Sequence, residues 1–224
     1  VAGGAAARGT AARAAASTAT RAVNPASLQA IRSSMFAGVE VAGLGHDLVA
    51  REAGDTWLGL KVKRAESVFP ALTCPFQASF RTAAAPSSHG IVFNGVFSRR
   101  FRRAFFWDQS AALVEGRRIW EEFRAAGRKV GMLFWQQSLG DDLGVLLSPA
   151  PIHKHHGGMI EDCYCRPADL YRRLCRAVGR RFRLRQYWGP MASWKSGQWI
   201  AEATAALLRD DELAPELCLT YLPS

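Results

Sequence analysis

From residue 39 onward, short apolar runs alternate with stretches whose apolar positions recur at helical spacing. Residues 39–44 form the first run, ending at Gly43-Leu44-Gly45, so the pattern predicts a buried strand leading into a loop. Residues 110–126 carry Leu113, Ile119, Trp120 and Phe123 and stop at Gly127, which predicts a helix weakened by Gly116. A second buried strand is expected over 129–135 and a third over 145–147, closed by Pro149. Pro167 sits where a helix's first turn tolerates a missing N–H, and 168–178 follows as a helix with Gly179 at its end. Ser193 opens a further helix to residue 209, with Trp199, Ile200, Ala203 and Leu207 on one side. Residues 217–222 are a last apolar strand. Strands separated by helices imply an α/β fold, a mostly parallel sheet with helices on both faces. Ligands meet such sheets beyond the carboxyl ends of the strands. A buried parallel strand is an odd place for a chain to stop, so the expectation is a domain incomplete at its C-terminus.

The first segment breaks the alternation. Residues 1–39 hold fourteen Ala, seven Ser or Thr and four Arg, with no Asp or Glu. Such a stretch buries too little to offset its ordering entropy. Residues 1–37 are therefore expected to be a disordered Ala/Arg-rich leader, and 38–224 the folded part. Arg-rich, Ser-rich and acid-free is also the composition of an organellar transit peptide, with a plain linker as the alternative. The expected location is intracellular, in a plastid or mitochondrion if the leader is a transit peptide.

Composition narrows the class further. Of 224 residues 49% are hydrophobic and 21% charged, an ordinary globular balance. No apolar run reaches the ~18 residues of a membrane-spanning helix. Five cysteines make no even framework, which favours reduced thiols. The net charge is +10, with 29 basic against 19 acidic residues.

The stretch with most chemistry runs Ser67-Val-Phe-Pro-Ala-Leu-Thr73-Cys-Pro, followed by Pro86-Ser-Ser-His89-Gly-Ile-Val-Phe-Asn94. A hydroxyl in a Pro-flanked turn before a helix can meet a phosphate at the helix N-terminus, where N–H groups and the dipole favour an anion. A plain Thr N-cap is the competing assignment for Thr73, and the commoner one for an isolated pattern.

These motifs resemble the type I phosphodiesterase/nucleotide pyrophosphatase branch of the alkaline phosphatase superfamily, in which a Phe-Pro-x-x-Thr-x-Pro turn carries the nucleophile. A second block strengthens the resemblance to a bacterial and algal subgroup. It comprises Gly131-Met-Leu-Phe-Trp-Gln-Gln-Ser-Leu-Gly140, residues 147–155, Gly158-Met-Ile-Glu-Asp-Cys-Tyr164 and residues 187–196. The resemblance implies an alkaline-phosphatase-like sheet, Thr73 as nucleophile and Asn94 as donor to a phosphoryl oxygen. His89 falls on a structural His-Gly of the family. Lys195 and His155 lie in loops expected near the substrate.

The same resemblance implies two zinc ions flanking the threonine, a phospho-threonine intermediate, and a small phosphodiester or nucleotide as substrate, with nucleic acid not expected as partner. Metal lowers the pKa of a hydroxyl and neutralises charge on attacking and leaving oxygens. Two departures stand against it. Ala42 occupies the place of the first metal Asp, leaving Glu40, two residues back on the same strand face, as the preferred substitute and Asp47 as another. The family's remaining Asp and His ligands would follow the strand that closes at Leu222. The metal donors named within the chain are thus Thr73 and Glu40. The competing function is a catalytically inactive, truncated homologue that binds phosphate or a partner.

Other clusters read more plainly. His153, His155 and His156 with Cys163 and Cys165 have zinc-binding residue types, but the spacing matches no standard finger. Seven arginines lie between 172 and 185 without an acid. Arg172, Arg173, Arg176 and Arg180 would share a helical face that could bind polyphosphate or nucleic acid, with a solvated face as the alternative. Residues 98–103, Ser-Arg-Arg-Phe-Arg-Arg, lack the aromatic platform of single-strand binders. Cys74 is assigned to packing, not to nucleophilic chemistry.

Overall fold

The computed structural model describes residues 35–223; the segment expected to be a leader lies outside the described residues up to residue 34. Strand β1, Phe36–Val41, opens the fold, starting inside the stretch assigned to the leader. Helix α1, His46–Ala53, and the hairpin of β2 (Thr56–Trp57) and β3 (Leu60–Lys61) follow. Helix α2 is Thr73–Thr82, and a single helical turn, α3, spans Pro86–His89. Strands β4 (Gly95–Ser98) and β5 (Arg103–Phe106) form a second hairpin. A short helix α4, Glu121–Ala125, precedes β6, Val130–Leu133, and β7, Val145–Pro149. Small strands β8 (Ile152–His153) and β9 (Met159–Ile160) pair with each other, and β10 is Cys163–Arg166. Helices α5, Leu170–Val178, and α6, Trp194–Leu208, lead to β11, Leu217–Leu222.

Five strands build the central sheet in the order β1-β11-β6-β7-β10. The first four are parallel, while β10 runs antiparallel along β7. The expected α/β class and parallel core are thus present, with one antiparallel edge added. Strands β6 and β7 are buried at every position. Such strands read as continuous apolar runs because both faces are covered.

Alternation along β11 shows which helix covers which face. Side chains two residues apart share a face, and neighbours oppose one another. Thr220 faces α6, where its hydroxyl lies 3.1 Å from that of Thr204. Leu219 and Tyr221 face the other way, toward α2. There a Cβ on Gly38, the register partner of Leu219, would come 3.9 Å from the Phe80 ring. Helices therefore cover both faces, α6 one and α2 the other.

Two expected elements differ. The helix expected over 110–126 is two pieces, a 3-10 turn at Ala111–Leu113 and α4, separated by Gly116 at φ +92°. A right-handed helix cannot continue through that backbone angle. The Arg118 guanidinium, which donates to the carbonyls of Val114 at 2.9 Å and Gly116, satisfies the broken turn. The four-arginine stripe is also not formed. Helix α5 ends at Gly179, φ +77°, so Arg180 lies beyond it, and Arg173 is occupied by Glu212 at 2.6 Å.

Candidate active site

Helix α2 starts at Thr73 with Leu72 in the N-cap position, whose own side chain makes no capping hydrogen bond. Thr73 is thus the first helical residue, and the competing assignment of a plain N-cap does not hold. Pro75 in the first turn has no N–H to offer, and the Cys74 N–H donates to Asn94 Oδ1 at 3.0 Å. That bond fixes the orientation of the Asn94 amide, turning its NH2 group away from the helix. The Asn94 backbone is itself anchored, its carbonyl accepting from Trp107 N–H at 3.0 Å across the β4–β5 hairpin. The Thr73 hydroxyl and the Asn94 amide, held through its oxygen on the Cys74 N–H, therefore both stand at the positive end of a ten-residue helix.

That helix end lies at the carboxyl end of the parallel sheet. A cleft of about 460 Å³ runs from the end of β1 to the start of α2, lined by Glu40, Ala42, Gly43, Ser67, Thr73 and Phe76 among others. Glu40 pairs in register with Tyr221, so both face α2. Burial pushes the Tyr221 phenol above its usual range, partly offset by the nearby Thr73 hydroxyl. Burial likewise pushes the Glu40 carboxyl up to about 7, partly offset by the nearby Gln77 amide. Among the described residues, Glu40 Oε2 and Gln77 Nε2 both remain without a partner in hydrogen-bond geometry. The Glu40 carboxyl and the Thr73 hydroxyl thus line one cleft, and a buried carboxylate oxygen without a partner is costly unless it takes a proton.

The floor beneath α2 is polar and tightly bonded. Gln77 Oε1 accepts from Gln136 N–H at 2.7 Å, and Gln136 and Gln109 bond each other at 2.6 Å. His89, fully buried, accepts from Ile91 N–H at Nδ1 and so donates from Nε2 to Ser79 Oγ at 2.8 Å. Burial and the Arg81 charge lower its pKa, leaving a neutral scaffold imidazole. Cys74 is buried and its thiol pushed up to about 12, which makes it inert.

The remaining expected site residues fall elsewhere. Lys195 is the second residue of α6 and lines a different cavity, and His155 is exposed in the β8–β9 loop; neither lines the Thr73 cleft. Asp47, the alternative to Glu40, is on α1 and fully exposed beside His46, not in the loop where it was expected. His155, His156, Cys163 and Cys165 do not come together: among the described residues no three His, Cys, Asp or Glu groups could hold one metal ion. Zinc takes three or four protein ligands, so Glu40 and Thr73 fit a metal only as part of a set. Tyr221 and Gln77 were missed. Gln77 stands four residues beyond Thr73, one helical turn along the same face, a spacing visible in the sequence.

A parallel sheet with a hydroxyl at a helix N-terminus beyond its carboxyl ends defines an alkaline-phosphatase-like α/β protein. Over residues 58–224 the chain matches type I phosphodiesterase / nucleotide pyrophosphatase, and it belongs to that family. Phosphonoacetate hydrolase from Sinorhizobium meliloti 1021, solved with phosphonoacetate, superposes with a TM-score of 0.54 at 18% identity, covering 84% of this chain and 46% of that one. Murine ectonucleotide pyrophosphatase / phosphodiesterase 5 does so with a TM-score of 0.50 at 16% identity, covering 85% and 43%. At such identities these structures establish the fold alone. The chain spans about half the length of these solved relatives. No curated protein matches it significantly.

Proposed function

We propose that this chain carries the nucleophile and phosphate-orienting half of a phosphoric ester hydrolase of the phosphodiesterase/pyrophosphatase type. The observation that carries the reading is the clamp of Asn94 Oδ1 on the first turn of α2, beside the Thr73 hydroxyl in an open cleft. Thr73 Oγ gives up its proton and attacks phosphorus, the bond from phosphorus to the leaving oxygen breaks and that oxygen takes up a proton, and a phospho-threonine forms that still carries the second ester group. Water then breaks the Thr73 Oγ–P bond, releases the phosphomonoester and restores the hydroxyl. Asn94 Nδ2 and the Thr73 N–H donate to the phosphoryl oxygen whose charge grows in the transition state. The substrate class is a small phosphodiester or nucleotide. The family is generally metal-dependent, and Glu40 and Thr73 are the donors this chain would contribute to zinc. A bound cation there would supply charge that lowers the hydroxyl's pKa.

The test is hydrolysis of bis(p-nitrophenyl) phosphate by the protein at its natural length. Thr73→Ala is expected to lower kcat at least about 10³-fold, and Asn94→Ala about 10²-fold. Acid quenching during turnover should leave a p-nitrophenyl phosphoryl group on Thr73, detectable by peptide mass spectrometry. Wild-type rates in Thr73→Ala would overturn the reading. Ala42 in the place of a metal Asp favours a second reading, a phosphate-binding protein without turnover. It predicts vanadate binding with no hydrolysis by the wild type.

A further inference from the structure

A second cavity, of about 470 Å³, opens where the 3-10 turn Leu184–Gln186 meets the start of α6. Arg180, Arg181, Arg183 and Lys195 line it together with Gln186 and Trp199, and it shares no lining residue with the Thr73 cleft. No acidic side chain lines it. Glu202 holds Arg180 at 2.6 Å, whereas Arg181, Arg183 and Lys195 form no ion pair among the described residues. Three uncompensated cations thus converge on one concave space.

The local sequence explains why the charges gather. In Arg181-Phe182-Arg183-Leu184 the apolar residues are buried and the arginines exposed, as extended backbone requires. Phe182 anchors the segment, its ring 4.7 Å from that of Phe134 and 5.3 Å from Trp199. The Trp199 indole donates to the Arg180 carbonyl at 2.9 Å, tying the segment to α6. The arginines are therefore held beside Lys195 in the first turn of a fifteen-residue helix, whose dipole adds to the positive potential. Like charges held on a rigid frame repel one another until an anion enters, and guanidinium forks match phosphate oxygens.

We propose that this cavity binds an oligophosphate chain, presented by free polyphosphate or by a nucleoside triphosphate. Its volume is that of a small-molecule site. Its one aromatic lining residue, Trp199, is 2% exposed and offers no face for stacking bases, which favours the phosphate chain over single-stranded nucleic acid. The site is independent of Thr73 chemistry.

Isothermal titration calorimetry of the full chain tests this, with inorganic tripolyphosphate and ATP as separate titrants and Thr73→Ala present to prevent turnover. Both should bind and weaken with added salt. Arg183→Glu/Lys195→Glu should weaken both at least about tenfold, or about 1.4 kcal/mol. Because both residues are exposed the fold should survive, and Arg181→Gln alone should weaken binding in the same direction. Arg99→Glu/Arg100→Glu, removing equal charge from the β4–β5 hairpin, should leave both affinities within about threefold. Equal affinities for the two titrants assign recognition to phosphate alone, and tighter ATP binding adds the nucleoside; either supports the site. Absence of binding by both, equal losses from the two double variants, or binding of single-stranded oligonucleotide without tripolyphosphate would overturn it.

Discussion

The two faces of the sheet are built by different physics. Beneath α6 the interior is apolar: Trp199, Ile200, Ala203 and Leu207 close over a cluster that includes Leu133, Leu147 and Cys218. Beneath α2 the apolar cluster is small, Cys74, Ala78, Ile91 and Val114, and it is interleaved with buried Gln77, Ser79, Arg81 and His89. Apolar burial is non-directional, so it secures stability without fixing any one atom. Hydrogen bonds in a low-dielectric interior are directional, and a satisfied network specifies where each group points. The helix that begins at Thr73 rests on the directional side, and this is the side on which the proposed nucleophile would have to be held in one orientation.

The sharpest way to break that contrast is at Arg81. Its guanidinium is fully buried, donating to the Gln137 carbonyl at 2.7 Å and reaching Asp141 at 3.5 Å, while Nε and Nη2 have no partner. Arg81→Met should cost about 3–5 kcal/mol, because it strands the Asp141 carboxylate and frees the 137–141 loop. Urea unfolding with an unchanged m-value measures this. Adding Asp141→Leu should recover part of the loss, since a buried pair replaced by apolar groups is often neutral. A loss in Arg81→Met below about 1 kcal/mol would mean that the polar side is not held by this residue.

On the opposite face the expectation is a smaller and purely structural effect. Leu147, wholly buried in β7 and level with Leu133 and Thr220, should lose about 3 kcal/mol as Leu147→Ala, through lost transfer energy and the cavity left behind. Phosphate or vanadate affinity at the Thr73 cleft should be unchanged at a denaturant level where the variant is folded. Thr204→Val removes the contact to the Thr220 hydroxyl, one of the few polar contacts of α6 with the sheet. It should cost about 1 kcal/mol. An altered ligand affinity in either variant would show that the two faces are coupled after all.

The same division explains what was legible in the sequence. Strands β6, β7 and β11 and helix α6 lie where apolar runs and helical spacing placed them, because burial is written directly in residue type. Thr73 and Asn94 were legible as a motif, and the cleft then formed around Thr73. Their polar support was not. Arg81, Gln77 and Gln136 look like surface residues in a linear pattern, and only the crossing of α2 over the ends of β1 and β6 shows what they bond. The helix expected over 110–126 failed for a related reason: apolar periodicity weighed more than Gly116, yet the Gly116 backbone and Arg118 decided the outcome. Register was the other missing quantity. That Glu40 stands beside Tyr221 follows from the pairing of β1 with β11, two strands far apart in sequence.

Glu40 gives the prediction that tests the site most directly. Its carboxyl is raised by burial from 4.5 to about 7 in the fold, whereas the unfolded chain ionises at the ordinary value. Between these values the folded state holds a proton that the unfolded state has released. Stability must therefore fall as pH rises from about 4.5 to about 7, and level off above. Asp141 is raised for the same reason and adds to the slope, while Glu121, Glu202 and Asp210 are lowered by hydrogen bonds and oppose it. Only the difference between wild type and Glu40→Gln isolates the group. Urea midpoints at pH 5 and pH 8 should separate less in the variant than in the wild type, with the variant gaining most at pH 8. Parallel midpoints would mean that the Glu40 carboxyl is solvated rather than desolvated beside Thr73. The proposed cation donor would then lose its basis, and the proposed site would rest on Thr73 and the Asn94 clamp.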